Sequence, residues 1–462
     1  MDLAARDVDA ANPSRETGEP RGAAASQDRC RERTLLVCLI LVTVLGRATY
    51  LAHDQTFLDL RAGEMERAAS SLVQDGTISR IYSDETGKSA HVAPLYPFLL
   101  AGLYKIFGWN TVAGRMAQEA LAVLATTIGI ALLPAVARAA RLSAAAGWAA
   151  AFAMAVLPLN LWVETSGSWE QPLAAVALLG MLLAFGRLSD DGWRNARRLL
   201  ACGALLGVVA LLSPALLPAG ALMIAAEFPR QRGSRKRILA GALVMGVVAG
   251  VVISPWVIRN YLALGAFIPL RSNFGLELAF GNNPLSDGKT FPWGWGSPER
   301  RAADDAHPFR NVAEWTRLES MGEAAYMRDK QREALRWMAA NPGKALQLTL
   351  TRFRLYWFPS ADMWPPESSA NRLKSTLNSF FGAAALLGLA RLAVAGHPRA
   401  WLLAAAAIGP SLIYMVTHVD TRYRYPTFGL CVLLSFDLLV AIWGGVVRRF
   451  GRTAASGRIA DG

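Results

Sequence analysis

Cysteine and histidine are both scarce in this sequence, which has four cysteines and five histidines in 462 residues. Cys30 lies near the N-terminus, whereas Cys38, Cys202 and Cys431 fall inside apolar stretches that are predicted to be helical. None lies in a predicted external loop, so a disulfide framework is not expected. No tight group of histidines or cysteines occurs, so no metal ligands are predicted. No cofactor is predicted with certainty, and a divalent metal ion is kept as an open alternative.

The sequence also lacks a convincing Gly-Lys-Ser/Thr loop of the Walker type, which argues against an ATP-driven transporter. It lacks polar regions long enough for a soluble domain, because hydrophobic residues make up 53% of the chain and the mean hydropathy is +0.27. Apolar runs that could cross roughly 30 Å of hydrocarbon recur throughout. The net charge of +13 does not indicate nucleic-acid binding, since basic residues accumulate in the cytoplasmic loops of multispanning proteins.

Periodicity and length predict an all-α membrane protein with about ten transmembrane helices. The first apolar run follows three arginines, and its length favours a retained signal anchor over a cleaved leader. Residues 1–33 lack an apolar core and are predicted to be a disordered cytoplasmic tail. The candidate spans are residues 34–51, 113–137, 143–163, 169–187, 198–212, 214–227, 238–257, 377–395, 399–417 and 425–447.

One further apolar stretch, residues 94–107, is short for a span and its placement decides the topology. If it does not cross the membrane, the arginine clusters near residues 138–141, 187–198, 230–237, 391–399 and 448–452 all become cytoplasmic, as the charge rule requires. We therefore expect it to lie at the outer interface. Both termini are then cytoplasmic, residues 34–447 form one transmembrane domain, and residues 448–462 form a basic tail. The large external segments are residues 52–112 and 258–376.

The second external segment is predicted to contain interfacial helices. Residues 311–340 interleave charged and apolar side chains as an amphipathic helix does, and Asn341, Pro342 and Gly343 should end it. Residues 346–358 form an aromatic, basic stretch that suits a helix at the level of the lipid headgroups.

Three carboxylates on the predicted external face could accept a proton from an acceptor hydroxyl. Asp59 and Glu64 follow the first span, and the alternative for either is a solvated acidic loop. Glu170 lies in a short turn at the membrane edge, where a carboxylate is costly unless solvated or paired. It could instead favour the start of the following helix through the helix dipole.

Several groups on the same face could contact a phosphate. Arg259 ends a span and Arg422 and Arg424 lie in the last external turn, and a guanidinium fork suits phosphate geometry. Arg259 could instead snorkel to lipid headgroups, and the last turn could instead be an interfacial aromatic anchor. Near residues 94–107, His91 could act on a phosphate or a proton or be an ordinary surface histidine, and Tyr96 could lie at the headgroup level.

Taken in order, these segments resemble the GT-C superfamily of integral membrane glycosyltransferases, in particular bacterial relatives of protein O-mannosyltransferases and of the lipid A aminoarabinose transferase. The resemblance runs from about residue 34 to 447. One departure is that relatives of the lipid A enzyme have a lysine ahead of the double-proline motif, where this chain has residues 91–93, His-Val-Ala. The matching pieces are the acidic segment after the first span and residues 93–98 with 105–108, 170–173, 255–261, 281–284, 340–343 and 422–426.

The resemblance implies a GT-C fold and an enzyme of the bacterial inner membrane. It implies Asp59 as the catalytic base with Glu64 as the fallback, Glu170 as a second acidic residue, and Arg259, Arg422 and Arg424 as groups facing the phosphate, with His91 as a substitute for the absent lysine. The expected activity is inverting transfer of a hexose or pentose from a polyprenyl-phosphate-linked donor to a glycan, lipid or protein acceptor on the periplasmic face. The alternatives are a transporter or flippase of lipid-linked sugars, whose functional polar groups would lie near mid-bilayer, and an assembly partner without activity.

Overall fold

A computed structural model describes residues 21–84, 86–289, 305–364 and 368–457, with the backbone alone described for residues 21–28, 232 and 448–457. These residues form α-helices joined by turns and short 3-10 segments, with isolated β-bridges pairing Ser79 with Lys88 and Lys289 with Val419. In chain order the helices are α1 (Arg21–Asp54), α2 (Glu64–Asp75), α3 (Leu95–Phe107), α4 (Val112–Ala139), α5 (Ala144–Val156), α6 (Leu161–Thr165), α7 (Gln171–Asp190), α8 (Ala196–Leu212), α9 (Leu217–Ala225), α10 (Glu227–Arg230), α11 (Arg235–Leu264), α12 (Phe274–Gly281), α13 (Val312–Met321), α14 (Glu323–Ala340), α15 (Pro342–Trp357), α16 (Ser369–Val394), α17 (Ala400–Ile408), α18 (Ser411–Val416) and α19 (Tyr425–Gly457).

Six helices in the described ranges are long and apolar enough to cross a membrane, namely α1, α4, α7, α11, α16 and α19. The chain is therefore a multi-pass membrane protein, as its composition predicts. The count of ten spans is not confirmed, because the remaining predicted spans correspond to shorter helices. The predicted span at residues 399–417, for example, is two helices, α17 and α18, separated at Gly409 and Pro410. Gly409 lets this break pack directly against α9, where an added Cβ would come within 2.4 Å of Ala219.

The first and last helices are longer than their apolar cores. Helix α1 begins at Arg21 rather than at residue 34, so the part of the predicted tail from residue 21 onward is helical, and α19 continues to Gly457. Alanine, arginine and glutamate are strong helix formers, so these flanks extend helices already started in the apolar segments. The predicted tail residues 1–20 and 458–462 lie outside the described residues.

Two oppositely charged side chains form a fully buried pair in the bundle core. The Arg47 side chain on α1 and the Glu164 side chain on α6 are each 1% exposed and approach to 2.6 Å. Arg47 also donates to the backbone carbonyls of Met154, at 2.8 Å, and Ala155. The guanidinium thereby satisfies buried carbonyls at the end of α5, where the helix itself supplies no donors.

Two loop segments carry helices of their own. Between α1 and α4, helix α3 packs against α2 and α4 and leaves Phe98, Ile106 and Phe107 between 46% and 74% exposed. This apolar outer face fits the predicted interfacial placement of residues 94–107. Between α11 and α16, α14 ends at Ala340 and α15 begins at Pro342, so the predicted helix break at Asn341 is confirmed.

Five connecting segments meet at one end of the bundle. They are the α1–α4 segment, the α6–α7 turn, the α8–α9 turn, the α11–α16 segment and the turn before α19, and each contributes residues to a shared cavity. These are the segments that the charge distribution assigns to one face.

Candidate active site

The shared cavity has a volume of about 380 Å³ and is lined by both polar and apolar side chains. We call it the main cavity. Its polar side chains come from all five connecting segments and its apolar ones mainly from the α8–α9 turn, α12 and α18. The polar lining includes Glu64, Glu170, Gln171, Ser213, Arg271, Asn273, Glu277, Thr417, His418, Arg422 and Tyr423, and the apolar lining includes Pro214, Ala215, Pro218, Phe274 and Ile413.

Glu64, the first residue of α2, places its carboxylate between two imidazoles. Its Oε2 lies 3.3 Å from Nε2 of His91, and its Oε1 lies 3.8 Å from Nε2 of His307. Burial by itself would raise the pKa of Glu64, but His91, His307 and Arg271 together hold that pKa below its ordinary value. Glu64 is therefore ionised at neutral pH, and its carboxylate faces the cavity as a hydrogen-bond acceptor.

A second pair formed by a carboxylate and an imidazole lines the main cavity. Oε2 of Glu277 on α12 lies 2.6 Å from Nε2 of His418, which precedes α19. Burial opposes ionisation, but His418 outweighs it and lowers the pKa of Glu277 to about 2. The pair joins the α11–α16 segment to the last turn.

Two arginines bring positive charge to the same cavity. Arg271 lines the cavity and is anchored by its Nε, which donates to the backbone carbonyl of His91 at 2.9 Å. The Arg422 guanidinium lies over the Trp169 ring, 4.0 Å from the ring centroid, and 5.2 Å from the centroid of Tyr423. Aromatic stacking holds a guanidinium in place without using up its N–H donors.

Glu170 is buried and faces the cavity from the start of α7. Its Oε1 accepts a hydrogen bond from Ser213 at 3.4 Å, and its Oε2 has no hydrogen-bond partner among the described residues. Glu170 is the N-cap residue of α7 but makes no side-chain cap bond. Its carboxylate is thus directed to the cavity, although the helix dipole still favours its charge.

Asp59 does not line the main cavity. Its carboxylate is 45% exposed and pairs with Arg61 at 2.7 Å, and this hydrogen-bonded partner lowers the pKa of Asp59 to about 2. The residue borders a separate small recess next to Glu66 and Arg115. Its assignment as the base remains a prediction from the resemblance, whereas the fallback residue Glu64 has the cavity-facing position.

Three other predicted phosphate-binding residues make internal contacts instead. Arg259 donates to the carbonyls of Ser89 and Ile78, at 2.6 and 2.7 Å, and Arg424 donates to the carbonyl of Asn378 at 2.9 Å. The Tyr96 hydroxyl donates to the carbonyl of Gly167. His91 is fully buried, with its ring between Glu64 and Tyr82. None of these four residues is among those that line the main cavity.

Sequence reasoning missed Arg271, Glu277 and His307. Arg271 lies in the α11–α16 segment beside Pro269, and its position on the disfavoured side of the predicted topology is the same signal that singled out Arg259. Glu277 lies in a short, mostly apolar helix, and only its partner His418 was in a segment that attracted notice. In the described part of the chain, no group of three or more His, Cys, Asp or Glu side chains is arranged to hold a metal ion.

A second cavity of about 530 Å³ lies between the α1–α4 segment and the α11–α16 segment. Tyr82, Lys88, Ser89, Glu323 and Arg328 are among the residues that line it.

Comparison with known proteins identifies the fold. No protein-family model and no curated protein sequence matches the chain. The apo oligosaccharyltransferase of Archaeoglobus fulgidus aligns with 92% of this chain at 14% identity and a TM-score of 0.54. The AglB oligosaccharyltransferase of the same organism, in complex with an inhibitory peptide and a dolichol-phosphate, aligns with 92% at 15% identity and a TM-score of 0.53.

The chain spans about half of these two structures, covering 52% of each. A structure of ArnT from Cupriavidus metallidurans bound to undecaprenyl phosphate also matches, over 88% of this chain and 77% of that one, at 16% identity and a TM-score of 0.37. The alignments with the oligosaccharyltransferase cover nearly the whole chain, so the chain shares the fold of these structures and the predicted GT-C fold is confirmed.

Proposed function

We propose that the chain is an inverting glycosyltransferase that uses a polyprenyl-phosphate-linked sugar, with the main cavity as its active site. One observation carries the proposal: the Glu64 carboxylate and the guanidinium groups of Arg271 and Arg422 line a single cavity at one end of a membrane bundle. Proton acceptor and phosphate-binding groups are the two elements that displacement of a sugar from a phosphate requires.

The donor lipid fits the mixed polar and apolar lining of the cavity. The apolar lining residues Pro214, Pro218 and Ile413 suit the first units of a polyprenyl chain, and Phe274, which is 41% exposed, adds to this apolar surface. The phosphate would lie against Arg271 and Arg422, whose N–H donors can make charge-assisted hydrogen bonds to its oxygens.

In the reaction Glu64 accepts the proton of the acceptor hydroxyl while that oxygen attacks the anomeric carbon. The bond from that carbon to the phosphate oxygen breaks on the opposite face, which inverts the configuration. Arg271 and Arg422 stabilise the charge that grows on the leaving lipid phosphate. A hexose or pentose donor, a glycan, lipid or protein acceptor, and a bacterial inner membrane with both termini cytoplasmic complete the proposal.

A transporter or flippase of lipid-linked sugars is the second candidate, and the position of the polar groups favours the enzyme over it. A transporter of this kind binds its substrate near mid-bilayer on broken helices, whereas the carboxylates and arginines described above belong to connecting segments at one end of the bundle.

The test is transfer of labelled sugar from a polyprenyl-phosphate donor by membranes that contain the protein. Glu64→Gln should lower the rate by about 10²- to 10⁴-fold, since it removes the proton acceptor and keeps the size of the side chain. Arg271→Met and Arg422→Met should each lower kcat/KM about 10- to 100-fold by removing a charge-assisted bond. Arg141→Gln, an exposed arginine in the α4–α5 turn, is the matched control and should leave transfer unchanged.

Asp59→Asn is the decisive comparison. If Asp59→Asn abolishes transfer and Glu64→Gln does not, the base is the exposed carboxylate that the resemblance implies and the cavity assignment of Glu64 is wrong. If neither variant nor the wild type transfers sugar, while labelled lipid-linked sugar crosses the bilayer of proteoliposomes, the transporter reading replaces the enzyme.

A further inference from the structure

Residues 89–91, which we call the strap, lie shortly before α3 in the α1–α4 segment, and Ser89 also lines the second cavity. Each strap residue is held by a partner from elsewhere in the chain. Arg259 donates to the Ser89 carbonyl at 2.6 Å, and the Ala90 amide donates to Oε1 of Glu323 at 2.8 Å. The His91 carbonyl accepts from Arg271. The strap is thus a fixed part of the site, although it has no regular secondary structure.

His91 contacts both functional halves of the main cavity. Its ring faces Glu64, with Nε2 at 3.3 Å from Oε2, and its carbonyl accepts the Nε–H of Arg271 at 2.9 Å. One residue therefore touches the group proposed to accept the proton and a group proposed to bind the phosphate. Its side chain is 1% exposed, so its ring cannot turn freely toward solvent.

Tyr82 contacts Nδ1, the other ring nitrogen of His91. Its hydroxyl oxygen lies 2.5 Å from Nδ1 of His91, and the two rings meet edge to face with centroids 5.1 Å apart. If the Tyr82 hydroxyl donates to Nδ1, the ring proton of neutral His91 must be on Nε2, where it faces Glu64. A hydrogen bond at one imidazole nitrogen commonly fixes the tautomer and orientation at the other in this way.

We propose that His91, oriented by Tyr82, is a positioning residue that sets the separation between the carboxylate of Glu64 and the guanidinium of Arg271. This inference rests on the proposed function for its effect on the reaction. Nε2 of His91 faces Oε2 of Glu64 at 3.3 Å, and we assign the acceptor hydroxyl to Oε1, which lies 3.8 Å from Nε2 of His307. Tyr82 and His91 touch no substrate in this arrangement, and His91 acts on the phosphate only through Arg271.

The variant Tyr82→Phe tests the proposal, because it keeps the aromatic ring and removes the hydroxyl alone. We expect kcat for sugar transfer to fall about tenfold, with the KM for the donor changed by less than about twofold. The acid limb of the kcat–pH profile should move, because an unconstrained His91 no longer holds its proton toward Glu64. His91→Gln, which retains a side-chain donor, should keep more activity than His91→Ala.

Tyr104→Phe is the matched control, since it removes another buried tyrosine hydroxyl of the same segment, one that donates to Gln118. It should leave kcat and the pH profile as in the wild type. A Tyr82→Phe enzyme with wild-type kcat and pH profile would overturn the proposal.

A second readout separates this proposal from the proposed function. Nitrogen NMR of ¹⁵N-histidine-labelled protein, with His91 assigned by its loss in His91→Gln, should show the Nε2–H tautomer in the wild type and a mixture in Tyr82→Phe. A protein that transfers no sugar but shows this change refutes the enzyme and keeps the positioning of His91. Unchanged His91 signals in Tyr82→Phe refute the positioning whether or not transfer occurs.

Discussion

The residues of the main cavity show why charge type alone could not rank the candidates. Glu64, Glu170 and Arg422 were singled out from the sequence and line the cavity, whereas Asp59 pairs with its neighbour Arg61 at the surface. An arginine two residues away satisfies Asp59 locally, and such pairing is readable from the sequence. The imidazoles beside Glu64 come from residues 91 and 307 and become neighbours only in the folded chain.

Arg259 and Arg424 were predicted to contact a phosphate, but the structure gives them a different use. Both lie on the disfavoured side of the predicted topology, which suggested phosphate contacts, yet both bind backbone carbonyls. A buried arginine can be retained for the several carbonyls it satisfies at once, because unpaired buried carbonyls are costly. The charge rule identifies an unusual arginine but does not distinguish these uses.

The Glu277–His418 pair should make the stability of the fold depend on pH. Because the folded-state pKa of Glu277 is lowered from 4.5 to about 2, the pair stabilises the fold above about pH 4.5 and that stabilisation is lost as the pH falls toward 2. The melting temperature of wild-type protein in detergent should therefore exceed that of Glu277→Gln at pH 6, and the difference should vanish near pH 2.

Glu319→Gln, at a solvent-exposed position of α13, is the control for this series. It should track the wild type across the whole range. An equal gap between wild type and Glu277→Gln at pH 6 and pH 2 would show that His418 does not hold an ionised Glu277.

At the scale of the elements, α12 meets the last turn at a glycine. Gly281 ends α12, and a Cβ added there would come within 1.8 Å of the Thr417 carbonyl oxygen. Arg352, from α15, bridges the two sides of this contact by donating to the carbonyls of Gly281 and Met415. This junction supports the neighbouring Glu277–His418 pair, so its geometry determines one wall of the cavity.

Gly281→Ala should consequently lower both stability and transfer. A methyl group against backbone that cannot move aside typically costs about 1–3 kcal/mol, and a several-degree fall in melting temperature is expected. Gly343→Ala is the control, because nothing lies within 4 Å of its added Cβ. A Gly281→Ala protein as stable as the control would mean that α12 and the last turn are not in direct contact.

Hydropathy predicted the long helices because a span must be continuously apolar. Hydropathy did not predict the break between two adjoining short apolar helices at Gly409 and Pro410. A broken apolar helix and a continuous one have nearly the same composition. The helix break at Asn341 was predictable because Asn, Pro and Gly all disfavour helix interiors. Short helices such as α12 carry too few residues for a periodic signal, and their place in the cavity wall depends on contacts far away in the sequence.

At the scale of the whole molecule, the Arg47–Glu164 pair ties α1 to the rest of the bundle. Removing the arginine alone leaves a buried carboxylate without its counter-charge, which typically costs about 3–5 kcal/mol. Arg47→Met should therefore sharply reduce the yield of folded protein and its melting temperature in detergent. The double variant Arg47→Met with Glu164→Gln should recover much of the loss.

Recovery in the double variant distinguishes the unpaired charge from the other contacts of Arg47. If the double variant is as unstable as Arg47→Met, the bonds to the carbonyls of Met154 and Ala155, rather than the ion pair, hold α1 in place.

The same pair constrains how the nascent chain enters the lipid. Arg47 emerges from the ribosome 117 residues before Glu164, so α1 first meets the translocon as an apolar segment bearing a lone cation. An isolated arginine is costly in hydrocarbon, and its carbonyl partners arrive only with the end of α5. We therefore expect α1 to integrate stably only after the chain has been synthesised through α6, so that the early helices enter the bilayer together rather than one by one.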